Sequence, residues 1–172
     1  NPDLSDLSPL QGLPIHELKL DNTSVVDISP LRGMPLRRLS LAGCEVVDLE
    51  PLRGAPMADL NLMGNPVESL WPLEGMPLLR LNLSKCDTVT DIHPLENMPL
   101  QELWLDQCKR LIQLAPLKTL TRLEQLTLPP ESKDIGFLRE LISLKRMGFS
   151  RANLQTREEF WQAYDARPRS FP

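Results

Sequence analysis

Ser29-Pro-Leu-Arg-Gly-Met-Pro-Leu-Arg-Arg-Leu-Ser-Leu-Ala-Gly-Cys-Glu-Val-Val-Asp-Leu49 is the stretch that decides the fold. Its Leu39-x-Leu41 pair returns as Leu18/Leu20, Leu60/Leu62, Leu81/Leu83, Leu103/Leu105, Leu126/Leu128 and, in altered form, Met147/Phe149. The intervals between first members are 21, 21, 21, 22, 23 and 21 residues. A fixed period of this size marks a solenoid, in which each turn packs only on its neighbours. Leu-x-Leu has period 2, so both leucines point to one side and the residue between them to the other. Burying one leucine contributes about 1.5–3 kcal/mol, which offsets backbone entropy only when a neighbouring turn completes the burial.

An apolar residue stands three positions before each pair: Ile15, Leu36, Met57, Leu78, Leu100, Leu123 and Leu144. A small or amide residue stands three positions after it: Thr23, Cys44, Asn65, Cys86 and Cys108. The resulting L-x-x-L-x-L-x-x-[N/C/T] pattern resembles the leucine-rich repeat over roughly residues 7 to 152. The resemblance implies an α/β solenoid, a right-handed coil or horseshoe. A parallel β-sheet would line its concave face, and 3₁₀ or short helical turns its convex face. Residues 1–13 then supply the outer half of a partial first repeat, 14–155 the repeats with about seven strands, and 156–172 a capping helix and tail. The Thr/Cys/Asn slot lies where the chain leaves the strand, so its side chain must satisfy backbone groups left unpaired by the turn. Asn does this fully, Thr through its hydroxyl, and Cys as a small buried residue with a weak donor.

The return leg carries D-[IL]-S-P-L and its variants, at Asp6–Leu10, Asp27–Leu31, Asp48–Leu52, Ser69–Leu73, Asp91–Leu95 and Gln113–Leu117. Ser or Asp ahead of Pro reads as a helix N-cap followed by Pro in the first turn. A second proline, Pro14, Pro35, Pro56, Pro77 or Pro99, follows within five residues, leaving room for a single 3₁₀ turn only. This signature is similar to the short-repeat, internalin-like class of bacterial leucine-rich repeats. From Leu117 onward the prolines leave this leg, and 134–142 has spacing compatible with a short helix capped by Asp134. Thr156 and Glu159 form a capping box for a last helix. On that helix Phe160, Trp161 and Tyr164 share one side, placed to seal the final turn; Arg167 to Pro172 read as a frayed end. The Glu-Phe-Trp-x-x-Tyr-Asp ending resembles tails of planctomycete-type bacterial leucine-rich repeat proteins. Some of these carry a Ser/Thr kinase domain, which implies a regulatory or sensory role as the alternative reading.

The 172 residues suit one domain, and 19 basic against 23 acidic side chains give a net charge of −4 with no basic cluster. That balance argues against a nucleic-acid binder, and no apolar run reaches the length of a membrane span. The chain opens on half a repeat at Asn1, which reads as a fragment of a larger protein. Its uncapped first turn gives a route to weak self-association of an otherwise monomeric domain. With no signal peptide in view, a cytoplasmic setting is the expectation, with the cell surface as the alternative. Cys44, Cys86 and Cys108 share one repeat slot and are expected as buried thiols, although Cys86 and Cys108 on adjacent turns can approach disulfide distance. Without a C-x-x-C and with His16 and His93 far apart, they make a poor zinc site; no metal or cofactor is expected.

No nucleophile–base pair, phosphate loop or G-x-S-x-G appears, so the expected role is non-enzymatic recognition of another protein or peptide. The face for it is the concave sheet, whose outward strand positions form three columns. The first column is Glu17, Arg38, Asp59, Arg80, Glu102, Gln125 and Arg146, nearly alternating in sign. These charges either pair sideways as a self-satisfied ladder or offer Arg38, Arg80 and Arg146 to acidic groups of a partner. The second column is Lys19, Ser40, Asn61, Asn82, Trp104, Thr127 and Gly148. Trp104 stands out, because period 2 points it away from the core: it either serves binding as an exposed aromatic or lies flat over the stems of its neighbours. In the third column, Met63 is two turns from Trp104, and the two with Asp106 make one candidate spot. The candidate partner-binding set is therefore Arg38, Asp59, Met63, Arg80, Asn82, Glu102, Trp104, Asp106 and Arg146. On the outer side, Trp71 is expected to pack on Pro51 and Pro94, and Asp27, Asp48 and Asp91 to close turns.

Overall fold

The protein is described by a computed structural model covering residues 2–166. The expected frayed end at Arg167 to Pro172 lies outside the described residues. Seven three-residue strands, β1 (Glu17–Lys19), β2 (Arg38–Ser40), β3 (Asp59–Asn61), β4 (Arg80–Asn82), β5 (Glu102–Trp104), β6 (Gln125–Thr127) and β7 (Arg146–Gly148), pair in parallel and in chain order. The register aligns like with like: Leu18, Leu39, Leu60, Leu81, Leu103, Leu126 and Met147 form one row. An eighth strand, β8 (Gln155–Thr156), pairs with β7 antiparallel and closes that edge of the sheet.

Inside the coil the rows are dry. Leu39, Leu41, Leu60, Leu62, Leu81, Leu83, Leu103, Leu105, Leu126 and Leu128 are all buried, and Ser40, between the first two, reaches the concave surface. Toward the first turn the core thins, with Leu4, Leu10, Ile15 and Leu18 only partly buried. The amide and thiol slot forms an internal ladder. Asn65 donates to the carbonyls of Leu41 (2.8 Å) and Leu62 (2.9 Å) and accepts from the Val46 amide (3.0 Å). The Thr23 hydroxyl donates to Leu20, and Cys44, Cys86 and Cys108 donate to Leu20, Leu62 and Leu83 at 3.1, 3.1 and 3.0 Å. All three cysteines are free thiols, so the disulfide alternative does not hold. Desolvation pushes Cys86 up to about 11 and Cys108 up to about 12.

The convex side is built of 3₁₀ turns, three residues long from Ser8–Leu10 through His93–Leu95. Each begins on the residue before the proline, not on the proline itself. The cap also differs from the expected one. The residue preceding each turn is apolar, and the Asp two positions ahead of the turn's first residue caps it instead. Asp6, Asp27, Asp48 and Asp91 accept from the amides of Ser8, Ser29, Glu50 and His93 at 2.8–2.9 Å. These hydrogen bonds hold the Asp27 and Asp91 carboxyls below their ordinary range, and the Ser8 hydroxyl followed by its amide does so for Asp6. Where the prolines leave, the turns lengthen to Ala115–Thr119 and Ile135–Glu140 but stay 3₁₀. The expected helix capped by Asp134 is thus corrected. Ile135, Leu138, Leu141 and Leu144 recur every third residue and are all buried, which matches three residues per turn, not 3.6. Asp134 sits at φ 51°, in the left-handed region, where its side chain makes no cap.

The additional residue of the fifth repeat and one of the two in the sixth form tight turns just past Cys86 and Cys108, closed by the Val89 N–H to the Cys86 carbonyl and the Leu111 N–H to the Cys108 carbonyl. The leucine rows pass beneath them undisturbed. The last helix, α1 (Arg157–Asp165), starts with the Thr156/Glu159 capping box. Phe160 and Trp161 are buried against the final turn, and Phe149, Phe160, Trp161 and Tyr164 stack with centroids 5.3–5.9 Å apart. Arg139 clamps the helix, with a forked contact to Asp165 and its guanidinium 4.1 Å from the Trp161 ring centroid.

Candidate functional site

Period-2 geometry delivers the three expected columns to the concave surface, side by side in register. In the first, Arg38 donates to Glu17 at 2.9 Å, and Arg80 to Asp59 at 2.8 Å, each across one strand spacing. Arg80 also lies in the field of Glu102, and its guanidinium is held more firmly protonated, chiefly by the hydrogen bond to Asp59. Arg146 donates to the Leu154 carbonyl in the C-terminal cap. The alternating column is therefore a ladder paired in its N-terminal half. A depression of about 230 Å³ opens there, lined by Glu17, Lys19, Arg38, Ser40, Asp59 and Asn61.

The second and third columns are cross-linked by hydroxyl and carboxyl groups. Asn61 donates to the Ser40 hydroxyl, and Ser40 to Asp21. The Asp106 carboxylate accepts from Ser84 and Thr127, both at 2.8 Å. Thr127 in turn accepts the Leu105 and Asp106 amides. Met63 is half-buried and Asn82 is buried, its side-chain oxygen accepting the Ser84 amide.

Trp104 is not the exposed aromatic that the sequence allowed. It points to the concave side as its position dictates, yet only 5% of it is exposed. The cover is Arg151, whose guanidinium lies 4.5 Å from the indole centroid. Arg151 belongs to a 3₁₀ turn, Arg151–Asn153, in the connection from β7 to β8. Alternation within a strand says which way a side chain points but not what a later segment lays over it. The exposed spot joining Met63 and Trp104 is accordingly replaced by an arginine-capped indole. On the convex side, Trp71 was expected to pack on Pro51 and Pro94 but remains 49% exposed.

A second concavity, about 520 Å³, lies between the sixth and seventh turns, away from the columns. Ile112, 80% exposed, lines it with Phe137, Lys118 and Lys133. The only sequence signal for it was an isoleucine in the outward column of Val26 and Val47. Among the described residues, no group of three His, Cys, Asp or Glu side chains is placed to hold a metal ion. No helix there is long and apolar enough to cross a membrane.

The chain matches no family model and no curated protein sequence. Among solved structures it superposes on an internalin, InlF, from Listeria monocytogenes with a TM-score of 0.79 and 25% identity. The match covers 85% of this chain and 44% of that one. The chain's fold is an internalin-like leucine-rich repeat solenoid. Internalin C2 from the same organism is a further relative in structure, with a TM-score of 0.59 and 27% identity over 76% of the domain and 69% of its own chain. The domain thus spans less than half the length of the InlF chain.

Proposed function

We propose that this internalin-like domain is a non-enzymatic recognition module, part of a larger protein, that binds another protein through its concave sheet. The observation that carries the reading is the contrast between the two sides of each strand. The inward row is leucine in six of seven turns, whereas the facing columns change charge, size and polarity from turn to turn. A scaffold held constant inside and varied outside is suited to specifying a partner. Its curved face is rigid, because its side chains are tied by Arg38–Glu17, Arg80–Asp59 and the Asp106 network, so little entropy is lost on binding. The three thiols are buried, and desolvation raises Cys86 and Cys108, which removes the obvious nucleophiles from service.

Panning a phage-displayed library of random peptides on the domain tests this. Selected clones should lose binding to an Arg80→Glu variant and keep it to the convex-side variant Trp71→Arg. Clones that respond only to Trp71→Arg would overturn the assignment of the concave face.

A further inference from the structure

The concave face carries four arginines with quite different commitments. Arg38 and Arg80 already hold the carboxylates of Glu17 and Asp59 at 2.9 and 2.8 Å. A partner's acidic group would have to displace these, and the exchange gains little. Arg146 is spent on the Leu154 carbonyl. Arg151 is the exception. It is exposed, it is fixed over the Trp104 ring, and among the described residues its guanidinium has no salt bridge or hydrogen bond. Asp106, in the column beside Trp104, is committed to Ser84 and Thr127.

The site is built, not incidental. Arg151 reaches Trp104 across the β6 and β7 positions of the same column, which hold only Thr127 and Gly148. Gly148 is required there, because a Cβ would meet the Asn153 carbonyl oxygen at 2.8 Å and push the connection away. Ser150 fixes the start of the turn by accepting the Ala152 amide. Stacking on an indole holds a guanidinium in place while leaving its N–H edge available, which lowers the entropy lost when that edge is used.

We propose that Arg151, seated on Trp104, is the anchor for a carboxylate side chain of the protein that occupies the concave face. The proposal rests on the concave reading above and names the chemistry of its C-terminal half. Peptides selected from the same phage-displayed library on the intact domain should be enriched in Asp or Glu. Their binding should weaken about tenfold in Arg151→Gln, the loss of one charge-assisted hydrogen bond, and less in Arg151→Lys. An unchanged thermal midpoint in both variants separates a lost contact from a loosened fold. If peptides lose binding to Arg80→Glu but bind Arg151→Gln as they bind the parent, the anchor is wrong and the concave reading stands. If binding survives Arg80→Glu as well, or no peptide is enriched, both fall.

Discussion

The thiol of Cys86 donates to the carbonyl oxygen of Leu62, 3.1 Å away and one full turn behind it in the coil. Cys44 and Cys108 make the equivalent bond to Leu20 and Leu83, and Asn65 makes it to Leu41. Each turn is therefore fastened to its predecessor by a buried side chain from one slot. Burial keeps two of these thiols protonated, with Cys86 pushed up to about 11 and Cys108 to about 12 from an ordinary 9.0. An unfolded thiol ionises near that ordinary value while the folded one does not, so alkali favours the unfolded chain. Stability should be full below pH 9 and fall as pH rises through the folded values, measured by urea unfolding across that window. At neutral pH a thiol reagent should label none of the three until the domain unfolds.

The acid side has the opposite sign. Asp27 and Asp91 are held below their ordinary 3.8 chiefly by the amides they cap, and Asp6 by the Ser8 hydroxyl and then its amide. Their contribution should be present above that value and fade as pH falls beneath it. Asp27→Asn, which keeps the capping oxygen without the charge, should flatten the acid limb of the unfolding midpoint and leave the neutral midpoint nearly unchanged.

Asn65 is the one slot residue with both donors and an acceptor in use. Asn65→Ala strands the Val46 amide, leaves the Leu41 carbonyl with the Cys44 amide alone, and should cost about 1–3 kcal/mol in urea unfolding. Asn65→Cys should cost about half as much, since three other turns run on that residue. An equal loss for both would show that the slot needs volume only.

The residue before the slot is left-handed in every early turn: Asn22, Gly43, Gly64, Lys85 and Gln107 have φ of 56–75°. Lys85 and Gln107 carry a steric penalty that glycine avoids, so Lys85→Gly should stabilise by about 0.5–1 kcal/mol. Gly43→Ala should destabilise by about 1–3 kcal/mol, because its Cβ would also meet the Asn22 Oδ1 at 2.6 Å. Thermal midpoints of the two variants, moving in opposite directions, check this.

The seal at the C-terminal end should outweigh any surface ion pair. Phe160→Ala removes a ring packed on Phe149, Trp161 and Tyr164 and should cost about 3–5 kcal/mol. Arg38→Ala breaks an exposed pair with Glu17 and should cost less than about 1 kcal/mol, a difference that vanishes in high salt.

The repeat by itself determined the coil. Leu39 and Leu41 with Ser40 between them fix which way every strand faces, because alternation is a property of the backbone and needs no partner to be read. The slot of Thr23, Cys44, Asn65, Cys86 and Cys108 was equally legible, since only small hydrogen-bonding side chains fit there. Even the three-residue spacing of Ile135, Leu138, Leu141 and Leu144 is that of a 3₁₀ turn, whatever the acidic residue ahead of it suggests. What the tertiary structure alone decided is the fate of Trp104. Its direction is local, but its cover is Arg151, supplied 47 positions later by a turn that Gly148 permits. Contacts between residues so far apart follow from how the chain closes on itself, and no periodicity carries that information.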